Sequence, residues 1–244
     1  MDNFHKDDLL VGAFISDIHI DAADSDMVYY QLNEYFLKVL HKLPVLDLVV
    51  LGGDIYHSKI PMESQASKLS NRFFNKDLVD LMIEKNCGVR VIKGTDSHDN
   101  DQLDNFLHLQ ENPKVNFKII KKVEEENFRG FKFLYIPEEY LKDPNKYYSE
   151  YISNKYDMAF GHGMFEKVAF NNNNDITQLK DAPVFKNNYF RECVKGPVLF
   201  GHIHTPTKVN KQVRYPGSFH TWVMGQETKK EIGRAHAWTP VTST

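Results

Sequence analysis

Apolar runs along the chain repeatedly stop at a glycine or an aspartate. Leu9–Ser16 (LLVGAFIS) ends at Asp17, Asp47–Leu51 (DLVVL) at Gly52-Gly53-Asp54, and Gly88–Lys93 (GVRVIK) at Gly94. Met158–Phe160 ends at Gly161-His162, and Pro197–Phe200 (PVLF) at Gly201-His202. Short, continuous apolar runs of this kind predict buried strands with sharp turns at their carboxyl ends. Met27–Leu43 carries Tyr30, Leu32, Tyr35, Phe36, Val39, Leu40 and Leu43 at helical spacing. A longer helical region follows around Ser64–Lys85, and Asp101–Leu109 sets Leu103, Phe106 and Leu107 on one face. Val115–Ile120 and Phe128–Ile136 predict two more strands, the second reached through a charged turn. Lys121-Lys122 and Glu124–Glu126 read as that solvated turn, and Asn171–Asn174 as a polar loop. Strand–helix–strand alternation predicts an α/β protein with its ligands outside the carboxyl ends of the strands.

Composition narrows this picture. The chain has 244 residues, 41% of them hydrophobic, enough for one sizeable core. A net charge of −3 gives no global signature of a nucleic-acid binder, although a local basic surface remains compatible with it. Cys87 and Cys193 form no metal or disulfide framework and suit a reducing compartment, which makes a cytoplasmic location the expectation. No signal peptide is visible, and no apolar run approaches the ~18 residues that a membrane span needs.

The last residues stand apart. Ile232–Thr242 (IGRAHAWTPVT) resembles the conceptual translation of a short-read sequencing adapter. Residues 1–231 are therefore read as the domain, with the natural chain expected to continue past Glu231, and 232–244 as a non-native tail.

Five short motifs carry the chemistry: Asp17-Ile18-His19, Gly53-Asp54, Gly94-Thr95-Asp96-Ser97-His98-Asp99, Gly161-His162 and Gly201-His202-Ile203-His204. Carboxylate oxygen and imidazole nitrogen are what a divalent cation takes from a protein. Asp17 and His19 share one side if the strand continues through them, and His202 and His204 repeat that spacing. Singly each motif is weak; an Asp-x-His pair is usually a surface or core pair. Together, in order and each at a strand end, they predict two divalent ions about 4 Å apart, able to clamp a phosphate and activate water. The mixed oxygen and nitrogen set suits Mn2+, with Fe or Zn as alternatives.

This set resembles the calcineurin-like metallophosphoesterases, whose pattern is D-x-H, G-D, G-N-H-D/E, G-H and G-H-x-H, over roughly residues 11–225. Gly52-Gly53-Asp54-Ile55-Tyr56-His57-Ser58 and Tyr215-Pro216-Gly217-Ser218 look more specifically like the Mre11/SbcD-type DNA nucleases, of the phage and bacterial recombination kind. The resemblance implies a four-layer α/β/β/α sandwich and a DNA exo/endonuclease. It also implies a homodimer and an SbcC/Rad50-like ATPase partner; phage encoding would place the protein in the host cytoplasm. By the same resemblance Asp17, His19, Asp54 and His204 hold the first metal, and Asp54, His162, His202 and the third-motif residue the second. His98 would protonate the leaving oxygen, work that suits an imidazole. Asp99 would orient His98, and His57 would lie close to metals and DNA, or else orient Asp54.

The chain departs from the pattern at the third motif. No Asn precedes His98, so Ser97 takes that position by alignment, Asp96 being the alternative, and a weaker second metal is expected. His220 reads as no ligand, and His5, His41 and His108 as surface or helix positions. Lys208, Lys211 and Arg214 could meet phosphates or belong to a solvated hairpin. Two other readings stand beside the nuclease: a phosphoesterase on a small nucleotide, and a binding module with weakened catalysis.

Overall fold

The structure is a computed structural model and describes residues 9–21, 23–139, 144–169, 184–219 and 236–238. Its strands in chain order are β1 (Leu10–Ile15), β2 (Leu48–Leu51), β3 (Gly88–Ile92), β4 (Asn116–Ile120), β5 (Glu124–Phe128), β6 (Phe131–Ile136) and β7 (Met158–His162). They continue with β8 (Met164–Phe165), β9 (Val184–Phe185), β10 (Val198–Gly201), β11 (Thr207–Lys208), β12 (Val213–Tyr215) and β13 (His236–Trp238).

Two sheets result. In the first, β1–β4 run parallel in sequence order, and β13 pairs antiparallel with β1 at the edge. That edge strand comes from the tail set aside above; the other residues of 232–244 lie outside the described residues. The second sheet has the order β11-β12-β10-β7-β6-β5, parallel through β12, β10, β7 and β6 and antiparallel at both edges. Parallel strands are covered on both faces, which is why they read as unbroken apolar runs. Leu48 and Val50 of β2 face the second sheet, packing in one cluster with Phe14, Phe133 and Phe160. Val49 and Leu51 face outward, onto Phe36, Phe73, Phe74 and Leu81 of the helices. Outside the second sheet, Leu134, Ala159 and Phe200 pack with Tyr148, Phe165 and Phe190. The layers are therefore α/β/β/α, the order the sequence resemblance implies.

The helical stretch over Met27–Leu43 is observed as Ser25–Gln31, Leu32–Leu37 and Lys38–Lys42 in succession. The helical region expected around Ser64–Lys85 begins with the helix Gln65–Arg72, capped by Ser64, whose hydroxyl accepts from the Ser67 N–H at 3.1 Å. Gln102–Leu109 is a 3₁₀ helix. Glu124–Glu126 corrects the sequence expectation, because it belongs to strand β5 and not to a solvated turn. The strand's inner side holds Glu126, which takes both Arg90 Nη2 (2.6 Å) and Arg90 Nε (2.8 Å) and the Tyr135 hydroxyl (2.9 Å). No helix among the described residues is long and apolar enough to cross a membrane. Cys87 and Cys193 are both buried and unbridged.

Candidate metal centre

The motif residues converge where the carboxyl ends of both sheets meet. Asp17 and His19 follow β1, Asp54 follows β2, Thr95 and His98 follow β3, His162 ends β7, and His202 follows β10. The loops after β1 and β2 remain tied to one another past the strands: Asp17 N–H donates to Gly53 O (2.9 Å) and His19 N–H to Asp54 O (3.0 Å).

Simple strand alternation does not place these ligands. β1 stops at Ile15, and Asp17 and His19 adopt left-handed backbone, with φ of 54° and 52°. Asp54 and His202 do likewise, at 50° and 97°. Non-glycine residues adopt this region at a cost and collect there at functional sites. Between β2 and Asp54, Gly53 has φ 94°, and a side chain on it would strike the His162 ring. A side chain on Gly94 would fall on the backbone nitrogen and carboxylate of Asp54.

Three groups of ligand atoms lie within 4.8 Å of one another: Asp17, His19 and His204; Asp54, His162 and His202; and His19, His57 and His98. In the first, His19 Nε2 and His204 Nε2 are 3.0 Å apart, and His204 Nε2 lies 3.7 Å from Asp17 Oδ1. Burial pushes His19 down to about 2, so its imidazole stays neutral and keeps a lone pair for a cation. His202 and His204 enter different groups, because the left-handed turn at His202 divides them.

In the second group, His162 donates through Nδ1 to the Gly52 carbonyl (2.8 Å), which turns Nε2 toward Asp54 Oδ2 at 3.3 Å. Anchoring one ring nitrogen so that the other faces the metal is how proteins orient ligand histidines. His162 Nε2 and His202 Nδ1 are buried, and among the described residues they face carboxylates without a well-directed hydrogen bond. Burial disfavours charge on His162, but Asp54, Asp17 and Glu138 outweigh it and raise its pKa well above the ordinary value. Burial likewise opposes ionisation of Asp54, yet the surrounding imidazoles hold its carboxyl low. This donor set, with inward-facing nitrogens beside ionised carboxylates, fits divalent cations.

The third motif sits differently from the sequence expectation. Ser97 and Asp96 lie on an exposed turn. Thr95, directly after Gly94, occupies the buried corner, with its N–H on Asp54 Oδ1 (2.7 Å) and its hydroxyl 3.3 Å from Asp54 Oδ2. The two extra residues between Gly94 and His98 are absorbed in that turn, which carries Ser97 outward. Asp99 does not contact His98 in the way the sequence implied. Its carboxylate accepts the N–H groups of Asp54 (3.1 Å), Ile55 (2.7 Å), Tyr56 (3.2 Å) and Gly94 (2.7 Å), pinning the loops after β2 and β3 together. Burial and the Asp54 charge push the Asp99 carboxyl up to about 7. His98 is held by the carbonyl of His57 at Nδ1 and presents Nε2 to Asp54 Oδ2 at 4.0 Å. The His57 ring is exposed at the rim, 5.6 Å from those of His19 and His98.

Glu138, two residues past β6, is a member of this cluster that the sequence reading missed. It is 2% exposed, and its Oε2 lies 3.1 Å from His202 Nδ1, 3.5 Å from His162 Nε2 and 3.3 Å from the Thr95 hydroxyl. A signal was present: the apolar run Phe133–Ile136 is followed, after Pro137, by the acid Glu138. Tyr215–Ser218 backs the first group, with Ser218 N–H donating to His204 O (3.0 Å). Lys208, Lys211 and Arg214 are exposed on the hairpin of β11 and β12. His41 and His108 pair with Glu84 (2.6 Å) and Asn75 (2.9 Å) on the helical surface. His5, His220 and Asn171–Asn174 lie outside the described residues.

No family model and no curated protein matches the chain. Among solved structures it is similar to a novel archaeal phosphodiesterase, at 13% identity over 86% of this chain and 84% of that one, with a TM-score of 0.35. It is also similar to a protein of unknown function from Aquifex aeolicus, at 13% identity over 62% and 76%, with a TM-score of 0.29. These likenesses are distant, and the functional reading rests on the site itself: an α/β/β/α sandwich with adjoining groups at its strand ends that can hold divalent ions.

Proposed function

We propose that the chain is a two-metal phosphodiesterase acting on DNA. The observation that carries this reading is the adjacency of two ligand groups, Asp17/His19/His204 and Asp54/His162/His202, with His98 Nε2 facing Asp54 of the second. Bound divalent ions, Mn2+ in this reading, would supply Lewis acidity to the phosphate and an activated water. Neither Asp17, His19 and His204 nor Asp54, His162 and His202 need rearrangement to serve, since the donor atoms within each group already converge. His98, held through Nδ1 by the His57 carbonyl, would deliver a proton from Nε2 to the leaving oxygen. Asp99 keeps the loops bearing Asp54 and Thr95 in place.

DNA as the substrate is supported by the Gly52–Ser58 sequence, by the exposed His57 at the rim and by the cations Lys208, Lys211 and Arg214 on the hairpin after His204. A homodimer working with an SbcC/Rad50-like ATPase belongs to the same proposal. The test is cleavage of end-labelled linear duplex DNA with Mn2+, beside a chromogenic phosphodiester, with Asp54→Asn as control. DNA degradation that disappears in the control supports the reading. Turnover of the small diester alone would replace DNA with a small nucleotide substrate. Inactivity on both with metal bound would refute a phosphodiesterase.

A further inference from the structure

We infer that Glu138 is an oxygen ligand of the second divalent ion and takes the place of the amide oxygen that the resembled motif supplies and this chain lacks. The inference rests on the two-ion reading and adds a residue that the motif pattern does not contain. At the position after Gly94 the chain offers the short hydroxyl of Thr95, and the next two side chains turn out to solvent. The corner this leaves is filled by a carboxylate from the other sheet. Ile136 of β6 is in register with Gly161 of β7, so the chain leaving β6 runs beside His162. The Glu138 N–H donates to Lys93 O at 3.2 Å, which ties this segment to the loop after β3 and sets Glu138 opposite Thr95.

Burial makes the placement expensive unless a cation is present. The Glu138 side chain is 0% exposed, and its Oε1 has no hydrogen-bond partner among the described residues. Its ion-pair partners among those residues are two imidazoles, His162 and His202, which also face Asp54. Removing a carboxylate from water is costly, and no described Lys or Arg side chain forms an ion pair with Glu138 to offset it. A divalent ion among Asp54, His162, His202 and Glu138 offsets it directly. Exchanging a neutral amide for a carboxylate adds a negative charge to the ligand set, and affinity for hard cations rises with ligand charge. The second ion is therefore held firmly, the opposite of what Ser97 in the Asn position would give.

The test is calorimetric titration of the metal-stripped chain with Mn2+, together with metal-free thermal melts to verify folding. The parent is expected to bind two ions, Glu138→Ala one, and Glu138→Gln two with the weaker site loosened at least tenfold. Ser97→Ala is expected to bind as the parent does. If both Glu138 variants match the parent, the inference fails and the two-ion reading stands. Loss of an ion in Ser97→Ala with none lost in the Glu138 variants also overturns it. A parent that binds no ion overturns both. If Glu138→Ala has no cooperative melt, the isosteric Glu138→Gln decides: unchanged affinity refutes the inference and tenfold weakening supports it.

Discussion

His98 holds its imidazole against the main chain of His57: Nδ1 donates to the carbonyl oxygen, and Nε2 is left facing Asp54 at 4.0 Å. The two residues thus differ in what they lend the site, a side chain from one and a backbone atom from the other. His98→Asn should retain bound Mn2+ and lose about 10²–10⁴-fold in phosphodiester turnover, the usual worth of a positioned proton donor. His57→Ala keeps the carbonyl, so its turnover of a small diester should fall far less. Equal losses in the two variants, measured side by side, would contradict this division.

Asp99 makes four backbone contacts and none that directs His98. In Asp99→Asn an amide N–H₂ would meet N–H donors, and the loops carrying Asp54 and Thr95 would lose their shared anchor. Mn2+ affinity should fall about 10–100-fold, the range for residues that support ligands from behind. A variant with parental affinity and an altered pH–rate profile would instead show that Asp99 works through His98.

The Arg90–Glu126 pair joins β3 of one sheet to β5 of the other. Burial alone would raise the Glu126 carboxyl, but the Arg90 guanidinium holds it below its ordinary value. A lowered folded-state pKa gives stability that is present above the unfolded value and is lost as pH falls through the folded one. Glu126→Gln should therefore be less stable than the parent by about 3–5 kcal/mol near neutrality, since it leaves a buried guanidinium unpaired. The gap should begin to close as pH falls below the ordinary carboxyl range and vanish only once the folded carboxyl, held lower by Arg90, protonates as well. Urea unfolding at pH 7 and pH 3 measures it, and a gap independent of pH would remove the pair from the stability balance.

Bound metal should stabilise the fold, because Asp17, Asp54 and Glu138 are buried carboxylates awaiting positive charge. With Mn2+ at about 100 times the dissociation constant, each site should add about 2.7 kcal/mol. Chelator should reverse the gain in the parent. Coincident urea midpoints with Mn2+ and with chelator would show that these groups hold no ion.

Much of the sandwich was legible because β2, β3, β7 and β10 are buried on both faces and leave unbroken apolar runs. The ligands were legible because each follows such a run. β5 was not, since its Glu124–Glu126 looks solvated until a partner for Arg90 is sought within GVRVIK. Glu138 escaped because Pro137, and not a glycine, ends the run before it. Ser97 turns outward and Thr95 takes the buried corner, because sequence spacing cannot say which residues of the Gly94–Asp99 stretch bulge outward. The spacing of Asp17 and His19 suggested strand alternation, whereas the chain achieves their placement by left-handed backbone.

Four of the ligand positions carry that backbone. Asp17, His19, Asp54 and His202 occupy a conformation in which glycine would be at ease, at a cost of order 1–3 kcal/mol each. Glycine at any of these positions would remove the ligand and relieve the backbone together, so the metal-free glycine variants should melt higher than the metal-free parent. Selection for the stability of the metal-free chain alone would therefore erode this centre, and a metal-free screen for stability should enrich inactive variants changed to glycine at these four positions.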